Sequence, residues 1–129
     1  NILKKVQRWE EKIKEVCRQI KRLSPPLIIL PITFNMLISS KFFDEESLNI
    51  VCYENGETFH PDILLNLLNQ AKYINIFTGP EGGFSDREID FFKTQNAILF
   101  KLPNGILKAE TATITALGII SYILKLNIN

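Results

Sequence analysis

The sequence predicts an α/β fold built on a parallel sheet, and three observations carry that expectation. Short runs rich in β-branched and aromatic residues (Leu48–Tyr53, Tyr73–Thr78 and Ala97–Leu102) alternate with segments of helical periodicity, the pattern of strand–helix–strand units. The second run passes straight into Thr78-Gly79-Pro80-Glu81-Gly82-Gly83-Phe84-Ser85, a glycine loop that ends on a helix start. With 129 residues, 46% hydrophobic and 22% charged, the chain has the size and composition of one soluble globular domain with a core of its own.

In chain order, residues 2–22 read as an amphipathic helix. Leu3, Val6, Trp9, Ile13, Val16, Cys17 and Ile20 recur at threes and fours, and Pro25-Pro26 stop the pattern. Leu27–Leu30 is an apolar strand or extended segment, after which Thr33 caps a short helix over 35–41. Phe42–Ser47 forms a loop before the first strand of the alternating series, Leu48–Tyr53. Glu54-Asn55-Gly56-Glu57 is expected to break that strand, because Asn-Gly favours a tight turn. His60-Pro61-Asp62 opens a helix: proline suits its first position and the aspartate complements its dipole. Ile63, Leu64, Leu67, Leu68 and Ala71 are its expected buried side.

Ser85-Asp86-Arg87-Glu88 has the spacing of a capping box and begins a helix over 86–93. After the strand Ala97–Leu102, Pro103-Asn104-Gly105 turns the chain into an apolar helix over 110–125. That helix is expected to be small on one side (Ala112, Ala116, Gly118) and bulky on the other (Ile119, Ile120, Ile123, Leu124). In parallel sheets, ligands sit beyond the carboxyl ends of strands. Gly79–Gly83 and Pro103–Glu110 both fall there, and together they form a site sized for a nucleotide-like molecule.

Composition and motifs exclude several chemistries. Neither a Gly-x-x-x-x-Gly-Lys-Ser/Thr phosphate cradle nor a Gly-x-Gly-x-x-Gly dinucleotide loop is present. The single histidine, His60, has no triad context and is read as a helix-start residue. No acidic or Cys/His cluster has metal spacing, so no metal is expected. Cys17 and Cys52 read as two buried thiols of a reducing cytoplasm, with a structural disulfide the less favoured alternative. The apolar run 27–32 is too short to span a bilayer. Net charge is only +1, yet the first 22 residues carry +5 against −4 for the rest, a basic segment that fits either a nucleic-acid partner or a solvated helix face. Glu81 and Glu110 are the acids of interest. Each reads either as loop and helix-start architecture or as part of a ligand site. Three backbone-exposing glycines beside a helix start suit an anion as well as any other ligand.

The stretch 78–89 resembles the Gly-Pro-Glu-Gly-Gly-Phe-Ser-x-x-Glu-Ile motif of the RsmE family, SPOUT-class methyltransferases of N3 of a uridine in small-subunit (16S) ribosomal RNA. Leu102 with Ile106–Ala112 resembles that family's Leu-Gly-x-Arg-Ile-Leu-Arg-Thr-Glu-Thr-Ala loop. Arg8-Trp9, Glu15, Gln19 and Arg22 resemble its Arg-Trp helix. The resemblance covers nearly the whole chain. It implies a parallel-sheet SPOUT-type α/β knot, with a trefoil at the carboxyl end that contravenes the usual rule against threaded chains. It also implies a homodimer with no membrane association.

S-adenosylmethionine would bind in the knot, held mainly by backbone. One wall would be Thr78, Gly79, Pro80, Glu81, Gly82 and Gly83; the other would be Leu102, Asn104, Ile106, Leu107, Thr111 and Ala112. Glu81 or Glu110 would orient the substrate or take its proton, and Lys108 and Arg22 would meet ribosomal RNA. The chain departs from the pattern at Pro103, Gly105, Lys108 and Ala109. The glycine at 105 stands in place of an arginine, whose bidentate grip lysine does not reproduce. These departures favour, as the alternative, a non-catalytic RNA-binding or dimerisation module that keeps the fold. An unrelated phosphate-binding α/β protein is a third reading. The match begins after the family's amino-terminal PUA-like barrel and the first βαβ of its SPOUT domain, so residues 1–129 are expected to be a partial SPOUT domain.

Overall fold

The computed structural model describes residues 2–20, 31–80, 82–102 and 109–126, and divides the chain into two compact units, 1–39 and 40–129. In the first unit, α1 (Ile2–Ile20) confirms the long amphipathic helix. Val6 is buried, while Lys4, Lys5, Arg8, Lys12 and Lys14 are exposed. A second, short helix α2 (Phe34–Ile38) starts at Thr33, whose hydroxyl accepts from the Met36 N–H at 3.2 Å. The run Leu27–Leu30 lies outside the described residues.

The second unit holds three parallel strands: β1 (Ser47–Glu57), β2 (Tyr73–Phe77) and β3 (Ile98–Phe100), in the order β2-β1-β3. The central strand explains its own place. Asn49, Ile50 and Val51 are all buried, as expected of a strand covered on both faces. Ser47–Val51 pairs with Tyr73–Phe77, and Ile50–Cys52 pairs with Ile98–Phe100.

Helices α3 (Pro61–Gln70) and α4 (Asp86–Thr94) make the crossovers, and α5 (Ala109–Leu126) closes the chain. The first crossover moves from β1 to one edge and the second from that edge to the other. Right-handed connections then put α3 and α4 on opposite faces. On one face Ile50, Leu64, Leu68, Phe100, Ile120 and Ile123 form an aliphatic core, with Leu48, Ile74, Ile76 and Ile98 packed against it. On the other, rings from α4 and from the loop before β1 cover Phe77.

Three expectations change. β1 does not stop at Tyr53 but runs to Glu57, with an irregularity: its pairing with Phe100 passes from Cys52 to Glu57, and Tyr53–Gly56 bulges out between them. Asn55-Gly56 bends the strand without ending it. A Cβ at Gly56 would stand 2.5 Å from the Leu99 carbonyl oxygen, so only glycine lets the bulge return to β3. Ile63 is 56% exposed, although α3 does bury Leu64 and Leu68. The division of α5 into small and bulky faces also fails, since Ala112, Ala116, Ile120 and Ile123 share one buried stripe and Tyr122 faces outward. Small residues there let the helix lie close to the sheet, and the bulky ones fill the space farther along.

Candidate functional site

The glycine loop stands at the carboxyl end of β2, as its spacing predicts. Its two flanks are held differently. On the helix side the capping box is complete: the Ser85 N–H donates to Glu88 Oε1 at 2.7 Å, and the Glu88 N–H donates to the Ser85 hydroxyl at 3.2 Å. Within the loop, the Gly83 N–H donates to the Pro80 carbonyl at 2.8 Å, and Gly83 takes φ = 77°, a conformation that glycine adopts without strain. A Cβ at Gly82 or Gly83 would meet nothing within 4 Å. These two exposed glycines therefore present bare backbone to the outside, which internal packing does not require. Gly79 is the reverse: a Cβ there would come within 3.2–3.3 Å of the Phe84 ring and the Gly83 carbonyl carbon.

The helix start is poorly suited to an anion. The capping box takes the N–H groups of Ser85 and Glu88, and Asp86 and Glu88 place two carboxylates in the first turn. Both oppose the dipole's attraction for phosphate. A neutral or cationic ligand group fits this environment better.

The expected second wall does not arise on a neighbouring strand. β1 lies between β2 and β3, so the loops after β2 and β3 leave from opposite edges of the sheet. What brings the second wall back is α5, which packs against both β1 and β2. The Thr113 hydroxyl donates to the Thr78 hydroxyl at 3.3 Å, fastening the first turns of α5 to the end of β2. Thr111 is exposed beside this contact and Ala112 is buried. Leu102 packs at the margin of the aliphatic core. Glu81, Asn104, Ile106, Leu107, Lys108 and Arg22 lie outside the described residues. Glu110 is the second residue of α5, and its side chain is likewise outside the described part.

Thr113 and the Tyr53–Gly56 bulge are the additions that sequence reasoning missed. Asn-Gly signalled a bend, but nothing local said that the strand would resume its pairing with β3 beyond it. Thr113 pairs with a residue 35 positions away, which no local pattern reveals. His60 caps α3 through its Nδ1, which accepts from the Asp62 N–H at 3.2 Å, and takes no part in the site. Cys52, at the turn into the bulge, is a free thiol whose pKa burial pushes up to about 12, so it is no nucleophile at neutral pH. Cys17's side chain is outside the described part. Among the described residues no three His, Cys, Asp or Glu side chains gather as a metal site, and no helix is long and apolar enough to cross a membrane. A separate, open apolar depression of about 360 Å³ lies between Pro61 of α3 and Gly118, Ile119, Tyr122 and Ile123 of α5.

Comparison with known proteins bears on this geometry. An RNA methyltransferase domain family matches residues 1–121. The chain belongs to that family. The chain is 30% identical over 121 residues to ribosomal RNA small subunit methyltransferase E of Synechocystis, covering 94% of this chain and 40% of that protein. It is 31% identical over 124 residues to the Bacillus subtilis protein of the same name, covering 92% of this chain and 47% of that one. The chain thus spans somewhat under half the length of these curated relatives.

Among solved structures, it superposes on the Neisseria gonorrhoeae methyltransferase E bound to S-adenosyl methionine with a TM-score of 0.63 at 21% identity, covering 99% of this chain and 51% of that one. Lpg2936 from Legionella pneumophila, in complex with the bound cofactor SAM, gives 0.57 at 26% identity, covering 94% of this chain and 47% of the other. The α/β parallel architecture of SPOUT-type methyltransferases is therefore the fold of this domain, and the resemblance read from 78–89 and 102–112 is borne out at the level of the family.

Proposed function

We propose that residues 1–129 act as a SPOUT methyltransferase domain that binds S-adenosylmethionine and methylates N3 of a uridine in small-subunit ribosomal RNA. The observation that carries this reading is the Pro80–Gly83 turn: bare glycine backbone at the carboxyl end of a parallel strand, tied to α5 by Thr78 and Thr113. Two carboxylates in the first turn of α4 favour a ligand with a positive centre over phosphate, which speaks against a phosphate-binding protein.

In this reading Thr78–Gly83 and the segment 102–112 hold the cofactor, the former through the Gly82 N–H and the carbonyl groups of Gly82 and Gly83. When bound, S-adenosylmethionine supplies an electrophilic methyl group on sulfur. The protein's own task is to align uridine N3 with that methyl and to accept the N3 proton as the bond forms. Glu81 and Glu110 are the acids assigned to that work. Lys108 and Arg22 would neutralise RNA phosphates. The ribosomal substrate in turn implies a cytoplasmic location.

A homodimer belongs to the same proposal. Its support is the exposed apolar surface of Ile63 and Tyr122 beside the depression between α3 and α5, which a second copy would cover. The decisive measurement is titration calorimetry of the folded chain with S-adenosylhomocysteine and, separately, with inorganic phosphate. Heat with the first alone supports the reading, whereas heat with phosphate alone overturns it. Binding of cofactor and RNA without methyl transfer to a small-subunit ribosomal RNA fragment would favour the non-catalytic alternative, toward which Pro103 and Gly105 point.

A further inference from the structure

The aromatic cluster on the α4 face reaches the glycine turn at both ends. Phe77, the last residue of β2, lies 5.3 Å centroid to centroid from Phe92. Phe84, which follows the turn, lies the same distance from Phe92, edge to face at 80°. Phe92 itself is wholly buried. The chain therefore leaves the Phe92 ring at Phe77, makes the four-residue turn Pro80–Gly83, and returns to the same ring at Phe84. Between those anchors the Phe84 ring lies against Gly79: a Cβ there would stand only 3.2 Å from its Cδ2 and 3.3 Å from its Cε2. Gly79 and Phe84 thus close the neck of the turn, and the Gly83-to-Pro80 hydrogen bond closes its interior.

We propose that Phe84 is a positioning residue: its ring, seated on Gly79 and Phe92, holds the Pro80–Gly83 turn closed in the free protein and thereby sets its affinity for the cofactor. The second half of this inference rests on the function proposed above; the first half does not. The physical reason is the entropy of ordering. Four residues, two of them glycine, sample many conformations when untethered, and binding through their backbone would have to order them. A turn already closed at its neck avoids that loss, as preorganised sites do. The inference also explains why an aromatic residue sits between two flexible glycines and a capping serine, where neither helix propensity nor the capping box calls for one.

The test uses the full chain and two readouts. Amide hydrogen exchange of the free protein reports the turn at Gly83 and, as an internal control, α4 at Ile89. Calorimetry with S-adenosylhomocysteine reports affinity. In Phe84→Ala, Gly83 exchange is expected to rise at least about tenfold with Ile89 unchanged, and affinity to fall about tenfold or more. Phe84→Leu, which restores an apolar side chain over Gly79, should recover most of both. Gly79→Ala supplies a second route, since its methyl pushes the same ring: it should weaken binding in the parent and cost far less in the Phe84→Ala background. Unchanged Gly83 exchange in Phe84→Ala overturns the inference. So does faster exchange with unchanged cofactor affinity, or equal cost of Gly79→Ala in both backgrounds. If the parent chain binds no S-adenosylhomocysteine, the proposed function fails and with it the affinity half of the inference, while the exchange measurement still decides whether the ring holds the turn.

Discussion

The two faces of the sheet are built from different materials. Under α3 and α5 the core is mainly aliphatic: Ile50, Leu64, Leu68, Ile120 and Ile123, joined by Phe100 and, at its margin, by Phe59. Under α4 it is aromatic, with Phe42 and Phe43 from the loop before β1 packing on Phe77, and Phe84 and Phe91 on Phe92. The aromatic face also carries polar groups. The Asn75 amide donates to Asn49 Oδ1 at 3.0 Å and to the Phe42 carbonyl at 3.2 Å, between residues paired directly across β1 and β2. Aliphatic side chains pack without directional demands. Rings and amides, by contrast, fix the angle and register of what they touch. The face that must place a loop uses the directional groups, and the face that must only cohere does not.

The largest expected effects come from the two centres of that contrast. Leu64→Ala and Phe92→Ala each remove a fully buried side chain and should cost about 2–5 kcal/mol, measured by urea denaturation. They should separate in a second measurement. The milder Phe92→Leu is expected to weaken cofactor binding by more than its loss of stability explains, and Leu64→Val to leave binding unchanged in the folded fraction. Equal behaviour of the two would erase the distinction between the faces.

Next in size is the amide pair. Asn75→Leu strands the buried Asn49 carbonyl and the Phe42 carbonyl, at a cost of about 1–3 kcal/mol. The double variant Asn49→Leu with Asn75→Leu should recover part of this in the same denaturation experiment, because one of the stranded groups is gone. Ser85→Ala removes half of the capping box and is expected to cost about 1 kcal/mol, with Glu88→Gln costing less.

The smallest effect at neutral pH belongs to Cys52, in β1 just before the bulge. Burial raises its thiol from the ordinary 9 to about 12. Folded and unfolded chains both keep this proton below pH 9, so its contribution is fully present there. Above pH 9 the unfolded chain ionises first, and stability falls as pH rises toward 12. The chain should therefore lose stability over that range, Cys52→Ala should lose less, and iodoacetamide at pH 8 should label Cys52 only after denaturation.

Much of this was legible beforehand because it is local. A capping box needs residues three apart, and Ser85 and Glu88 meet as their spacing requires. His60-Pro61-Asp62 starts a helix for reasons contained in three residues. The periodicity of α1 and the central strand followed from patterns of apolar residues, as did the alternation that identifies the parallel sheet. What failed depended on neighbours. Asn55-Gly56 bends rather than ends β1, because β3 stands close enough to take up the returning strand. Ile63 remains exposed and Ala112 and Ala116 of α5 turn inward beside Ile120 and Ile123, because burial is decided by what packs opposite and not by size.

The candidate site divides along the same line. From residues 78–89 alone came a strand end, a glycine loop, a capped helix and the family that carries them, all set by backbone preferences within a dozen positions. The tertiary structure decided that β1 separates the two loop-bearing strands, that α5 returns to meet Thr78 through Thr113, and that Phe84 closes back on Gly79 over Phe92. Sequence distance hides such contacts because their energy exists only once the sheet has brought the partners together.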